Sequence, residues 1–155
     1  MAEVVVRTLA ANGRTLAVAE SCTGGGLGQR ITEVPGASAC FLGGVVAYDN
    51  RIKEELLGVG AELLQRFGAV SEPVAKALAE GARRRLGASI GVSTTGVAGP
   101  GGGTPAKPVG LVHIGVSTEA STQVLELRLS GDREAIRERT VDEALAAVWR
   151  VARGA

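Results

Sequence analysis

Ser21 stands in the run Glu20, Ser21, Cys22, Thr23, which leads directly into Gly24, Gly25 and Gly26. A hydroxyl beside a glycine-rich turn becomes a nucleophile when a neighbouring group can take its proton. The single histidine, His113, lies between Val112 and Ile114 in a strand-like run and reads as structural, so a Ser-His-Asp triad is not expected. A lysine with a pKa lowered by desolvation can replace the histidine, and a tyrosine can relay or donate a proton. Lys53 and Tyr48 are placed to serve Ser21 if the strands before them are neighbours. The backbone amides of Thr23 and Gly24 can hold an oxyanion or a phosphate. Each residue also has a plainer role: Ser21 as a helix N-cap, Tyr48 as a strand-end filler, Lys53 as a solvated charge. Cys22 is a rival nucleophile whose plainer place is the core.

Two further stretches carry polar and glycine-rich chemistry. One holds Tyr48, Asp49 and Asn50, with Lys53 one turn on; the other holds Thr94, Thr95, Gly96, the run Gly99 to Pro105 with Gly101, Gly102 and Gly103, and then Lys107. Arg133 and Arg137, one helical turn apart, either add positive charge for an anion or form a solvated face with Glu134 and Glu138. No G-x-G-x-x-G follows the first strand, no Walker-type loop exists, and Ser21 lacks the glycines of a nucleophile elbow. With Cys22, Cys40 and one histidine, a four-ligand zinc site is not expected.

Alternating apolar patterns supply the elements that must position these residues. The spacing predicts a helix over 3–12 with Val4, Val5, Thr8 and Leu9 on one face, a buried strand over 15–19, and a helix ending near Thr32. A second buried strand is predicted over 44–48, then short helices around Lys53 to Leu57 and Leu63 to Phe67. Ser71, Glu72 and Pro73 open a helix that Gly87 stops, with Arg83, Arg84 and Arg85 favourable at its C-terminal end. Strands follow over 88–94, 111–117 and 123–129, the last two as a hairpin, and Asp132 caps a final helix with Ile136, Val141, Leu145, Val148 and Trp149 facing the core. Strands alternating with helices imply a three-layer α/β/α sandwich with a mixed, mostly parallel sheet of about five strands, one domain over 1–155. In such a sheet ligands bind outside the carboxyl ends of the strands, and all three polar stretches leave those ends.

Composition narrows the function classes. A net charge of +1 and an aromatic content of 3% argue against a nucleic-acid platform or an anionic-membrane surface. No apolar run reaches the roughly 18 residues of a membrane span, and no secretory signal precedes the first polar stretch, so a cytoplasmic chain with reduced thiols is expected.

The segments Ala-Glu-Ser-Cys-Thr-Gly-Gly (19–25), Val-Val-Ala-Tyr-Asp-Asn-Arg-Ile-Lys (45–53), Gly-Ala-Val-Ser-Glu (68–72), Thr-Gly-Val-Ala-Gly-Pro-Gly-Gly-Gly-Thr-Pro (95–105) and Lys-Pro-Val-Gly (107–110) together resemble the CinA C-terminal domain family. The resemblance runs in order over nearly the whole chain and is similar to the stand-alone form, whose members include nicotinamide-nucleotide amidohydrolases. It implies hydrolysis of nicotinamide mononucleotide (NMN) to nicotinate mononucleotide and ammonia, without metal or cofactor. The family's serine, tyrosine and lysine fall on Ser21, Tyr48 and Lys53. Substrate contacts are then expected at Thr23, Gly24, Gly25, Asn50, Thr95, Gly96, Gly101, Gly102, Gly103, Lys107 and Arg133, the glycine-rich loop taking the ribose-phosphate. A homo-oligomer is expected. The rival function is a non-catalytic nucleotide-binding module linked to competence or DNA damage.

Overall fold

The computed structural model describes residues 1–154. Helix α1 (Ala2–Ala11) leads to strand β1 (Leu16–Glu20), helix α2 (Gly26–Thr32), a 3-10 turn (Ala37–Ala39) and strand β2 (Phe41–Val46). Helices α3 (Asn50–Leu57), α4 (Ala61–Phe67) and α5 (Glu72–Leu86) follow, then β3 (Ile90–Gly96), β4 (Leu111–Ser117), β5 (Thr122–Arg128) and α6 (Arg133–Arg153). The sheet order is β2-β1-β3-β4-β5. β1 pairs in parallel with both β2 and β3, whereas β3–β4 and β4–β5 are antiparallel. Four strands thus point one way and β4 alone opposes them, so the pairings divide evenly between the two kinds.

Two cores make the three layers. Leu16, Val18, Ile90, Val92, Val112 and Ile114 face α1, α2 and α6. Ala17 and Ala19, on the opposite face of β1, meet α3, α4 and α5 through Leu57, Leu64, Val74 and Leu78. Alternation along each strand sends successive side chains to opposite cores. Fully burying a Leu or Ile side chain contributes about 1.5–3 kcal/mol, so the fully buried Leu16, Ile90 and Ile114 tie the sheet to the first core. No helix among the described residues is long and apolar enough to cross a membrane.

Helix boundaries follow local chemistry. The Ser71 hydroxyl accepts from Val74 N, Pro73 sits in the first turn, and Gly87 closes α5 at φ +66°, with Arg83, Arg84 and Arg85 in the last turn. Asp132 accepts from Ala135 N at the start of α6. Two expectations are corrected. In α1 the buried stripe is Ala2, Val5, Val6 and Leu9, and Val4 is exposed. The second strand begins earlier, at Phe41, and is not buried throughout: its residues alternate between half-buried and exposed because it lies at the sheet edge. Its apolar composition resembles that of a central strand, and only strand order separates the two cases.

That order creates the site. β1 leaves the sheet toward α2 in one layer, and its neighbour β2 leaves toward α3 in the other. Adjacent strands departing to opposite faces open a crevice at their carboxyl ends. Ser21 follows the carboxyl end of β1, and Tyr48 follows that of β2.

Candidate active site

The first loop is built around a buried acid. The Glu20 side chain is 1% exposed and accepts hydrogen bonds from Thr23 Oγ1 at 2.6 Å, Leu27 N at 2.8 Å and Gly28 N at 3.0 Å. Helix α2 opens on Gly25, which offers no side-chain cap, so Glu20 satisfies the amides that a cap residue would otherwise take. Thr23 Oγ1 also meets Thr94 Oγ1 at 2.7 Å, and Ser21 N donates to Thr94 O at 2.9 Å, which pins the loop to β3. Gly24 at φ +58° and Gly25 at φ +99° turn the chain through left-handed conformations that side chains disfavour. Ser21 follows the inward pointing Glu20, so alternation directs it to the opposite layer, the one that holds α3. Among the described residues the Ser21 hydroxyl makes no hydrogen bond.

The second loop delivers Lys53. Asp49 caps α3 by accepting from Arg51 N at 2.8 Å. Lys53 and Leu57 are one helical turn apart and both buried, so the lysine occupies the apolar face of a short amphipathic helix. Its Nζ donates to Ala47 O at 2.7 Å and to Tyr48 O at 3.1 Å, and no salt bridge reaches it among the described residues. Burial lowers its pKa from the ordinary lysine value, and the charge at Asp49 opposes that shift. Tyr48 itself is 63% exposed, and its hydroxyl accepts from Arg133 Nη2 at 3.4 Å. The tyrosine hydroxyl and the lysine amine are therefore turned to different partners. Asn50 opens α3 and is exposed.

The third loop, 97–110, is tied down by cations. Arg133 Nη1 donates to Gly99 O at 2.8 Å, and Lys107 Nζ donates to Phe67 O at the end of α4. Arg137 reaches the first loop, with Nε on Cys22 O and Nη2 on Thr23 O, both at 3.1 Å. Through neutral carbonyls, Arg133 and Arg137 thus tie α6 to the third and first loops and Lys107 ties the third loop to α4, and none of the three makes a salt bridge among the described residues. Arg133 and Arg137 are not merely a solvated face. Gly101, Gly102 and Gly103 are exposed.

Several expected contacts have narrower scope in the structure. The side chains of Thr23 and Thr95 are buried and engaged, Thr95 Oγ1 donating to Ala69 O at 2.8 Å, so these residues present only backbone to a ligand. Gly96 packs against β4, where a Cβ would meet Leu111 O at 2.9 Å. Of the two amides expected to hold an anion, Gly24 N donates to Ser21 O at 3.1 Å, whereas Thr23 N makes no hydrogen bond among the described residues. Cys22 is 7% exposed and burial pushes its pKa up to about 12, which leaves it a thiol rather than a nucleophile. His113 lies buried in β4, its Nε2 3.4 Å from Glu126 Oε2 and its Nδ1 without a partner among the described residues. No group of three or more His, Cys, Asp or Glu among the described residues could hold a metal ion. Glu20 was not singled out by sequence reasoning; the signal was an acid seven residues before Leu27 in a stretch with no cap residue at the helix start.

Comparison with known proteins agrees with this architecture. The family model described as the CinA C-terminal domain matches residues 1–152. A CinA-like protein of Parasynechococcus marenigrum (strain WH8102) is 55% identical over 148 residues, 94% of this chain and 35% of that protein. A CinA-like protein of Anaeromyxobacter sp. (strain K) is 56% identical over 143 residues, 92% of this chain and 35% of that protein. The chain thus spans about a third of the length of these relatives. Among solved structures, the competence/damage inducible protein CihA from Agrobacterium tumefaciens is 40% identical with TM-score 0.89, covering 95% of this chain and 93% of that one. A CinA superfamily protein from Klebsiella pneumoniae is 32% identical with TM-score 0.95, covering 99% and 96%.

Proposed function

The chain belongs to the CinA C-terminal domain family, and from that premise we propose that it hydrolyses the amide of NMN to nicotinate mononucleotide and ammonia with Ser21 as nucleophile. The observation that carries this reading is Lys53, an amine 1% exposed that is held by the carbonyls of Ala47 and Tyr48 and makes no salt bridge among the described residues, in a site whose first loop carries a serine hydroxyl without a hydrogen bond among those residues. Removing an ammonium from water favours the neutral form, and a neutral amine can accept a serine proton. Nothing in the fold of a small α/β protein requires a lysine on the apolar face of α3.

In this reading Ser21 Oγ attacks the carboxamide carbon as its proton passes to Lys53. The carbonyl π pair moves onto oxygen, where backbone amides of the first loop stabilise it. Collapse returns that pair, breaks the carbon–nitrogen bond and sends the proton from Lys53 to the departing amine, so ammonia leaves. Water then adds to the ester and releases the carboxylate and the Ser21 hydroxyl. Tyr48, held by Arg133, closes the mouth of the crevice. Arg133 and Lys107 suit a phosphate, because an anion competes well against neutral carbonyls for their charged donors.

The test is ammonia release from NMN by purified protein with EDTA present. Formation of nicotinate mononucleotide that Ser21→Ala abolishes is the expected result. Activity lost with EDTA and restored by a divalent ion would overturn the serine mechanism. Tight NMN binding without turnover would favour a non-catalytic nucleotide-binding module, the reading compatible with the competence/damage name carried by the Agrobacterium protein.

A further inference from the structure

We propose that Arg137 is a positioning residue that aims the Thr23 amide at the oxyanion formed on Ser21 attack; this rests on the serine-nucleophile reading above. In a trans peptide the N–H points opposite to its own unit's C=O. The peptide between Cys22 and Thr23 has its carbonyl on Arg137 Nε at 3.1 Å, and so its N–H, that of Thr23, points away from the guanidinium. The next carbonyl, Thr23 O, is held by Arg137 Nη2 at 3.1 Å and by Gly26 N at 3.0 Å. The turn after the nucleophile is fixed by a two-point clamp from a helix more than a hundred residues away.

Two neighbouring amides of the turn are engaged within the protein. Ser21 N is on Thr94 O and Gly24 N on Ser21 O. Thr23 N makes no hydrogen bond among the described residues, although the residue is 1% exposed. A buried amide without a partner calls for an explanation, and a ligand oxygen supplies one. A cation on the carbonyl side also polarises the peptide and strengthens its N–H as a donor. Gly24 makes room for the clamp, since a Cβ there would come within 3.3 Å of Arg137 Nη2. The step needs no co-reactant: the Ser21 Oγ–carbon bond forms, the carbonyl π pair becomes the oxyanion lone pair, and Thr23 N–H donates to it.

The experiment compares wild type, Arg137→Gln, Arg137→Lys and Arg137→Ala in NMN hydrolysis and in labelling of Ser21 by a fluorophosphonate, which forms a tetrahedral adduct without needing the natural substrate. Expected is a loss of about 100-fold in kcat with KM within about three-fold, the scale of a lost oxyanion donor, and a parallel slowing of labelling. A groove of about 300 Å3 lined by Thr23, Gln29, Arg137 and Glu138 gives guanidinium ion access, so added guanidinium should restore part of the Arg137→Ala rate. Arg137→Lys keeps the charge with a single point of attachment and carries the test if the glutamine variant does not fold. A kcat within about three-fold of wild type, a rise in KM alone, or unchanged labelling would overturn the proposal. Wild type that labels at Ser21 but leaves NMN intact would remove the substrate and keep the Arg137 role, provided labelling slows in the variants. Wild type that does neither removes both.

Discussion

The Lys53 amine hydrogen-bonds the main-chain carbonyl of Tyr48 at 3.1 Å, while the hydroxyl of the same tyrosine turns to Arg133 at 3.4 Å. Lysine and tyrosine are thus joined through the backbone, and the lysine is held by neutral acceptors in surroundings that disfavour its charge.

Lys53→Arg should therefore lose at least about 100-fold in kcat despite keeping the charge, because a guanidinium does not give up its proton. The wild-type rate should rise with pH through an ionisation below the ordinary lysine value, since the lowered pKa means the active, neutral form appears earlier. An arginine variant with substantial kcat and a raised KM would make Lys53 a substrate clamp instead.

The same shift sets a stability signature. A base with a folded pKa below its unfolded value of 10.5 binds more protons when unfolded, so the penalty is full below the folded pKa and fades as pH rises toward 10.5. Chemical denaturation of wild type and Lys53→Met at neutral and alkaline pH should show wild type gaining on the variant as pH increases. A constant difference would mean that the pKa is not lowered.

Ser21→Ala should abolish turnover and leave the unfolding midpoint within about 0.5 kcal/mol of wild type, because a hydroxyl without internal partners supports little of the fold. Circular dichroism and ammonia release decide this together; a variant within a few-fold of wild-type activity would move the nucleophile elsewhere.

Glu20→Gln should destabilise by about 1–3 kcal/mol. The carboxylate accepts from three donors at Thr23, Leu27 and Gly28, whereas an amide must place an NH2 against at least one of them. Urea denaturation measures the cost, and an unchanged midpoint would show that α2 does not depend on this cap.

Burial lowers the His113 pKa below 6.5 against the opposing charges of Glu126 and Glu72, with Lys107 adding to the lowering. The unfolded chain then binds the extra proton, so this histidine's contribution is intact above pH 6.5 and declines as pH falls through that value toward the folded pKa. Replacing it by Phe should flatten the loss of stability between pH 7.5 and pH 5, read from urea midpoints at each pH; equal slopes in the two proteins would refute the assignment.

What could be read from the sequence was what is local. Ser71 and Asp132 announce helix starts and Gly87 a stop because caps and left-handed turns act within a few residues. The polar loops stood out because Ser21, Tyr48, Lys53 and the glycines of 99–103 interrupt apolar strands at the ends where α/β sheets open. The relations that only the tertiary structure decided are those between distant segments. β2 is an edge strand and β1 a central one because of strand order, which apolar composition does not encode. Glu20 caps a helix that begins six residues later, after two glycines reverse the chain. Arg137 and Arg133 reach the loops near residues 22 and 99 only because α6 packs back across the sheet beside α2. Lys53 was visible as a residue, but its burial and lowered pKa come from the packing of α3 against the second core, since desolvation belongs to the folded surroundings and not to the side chain.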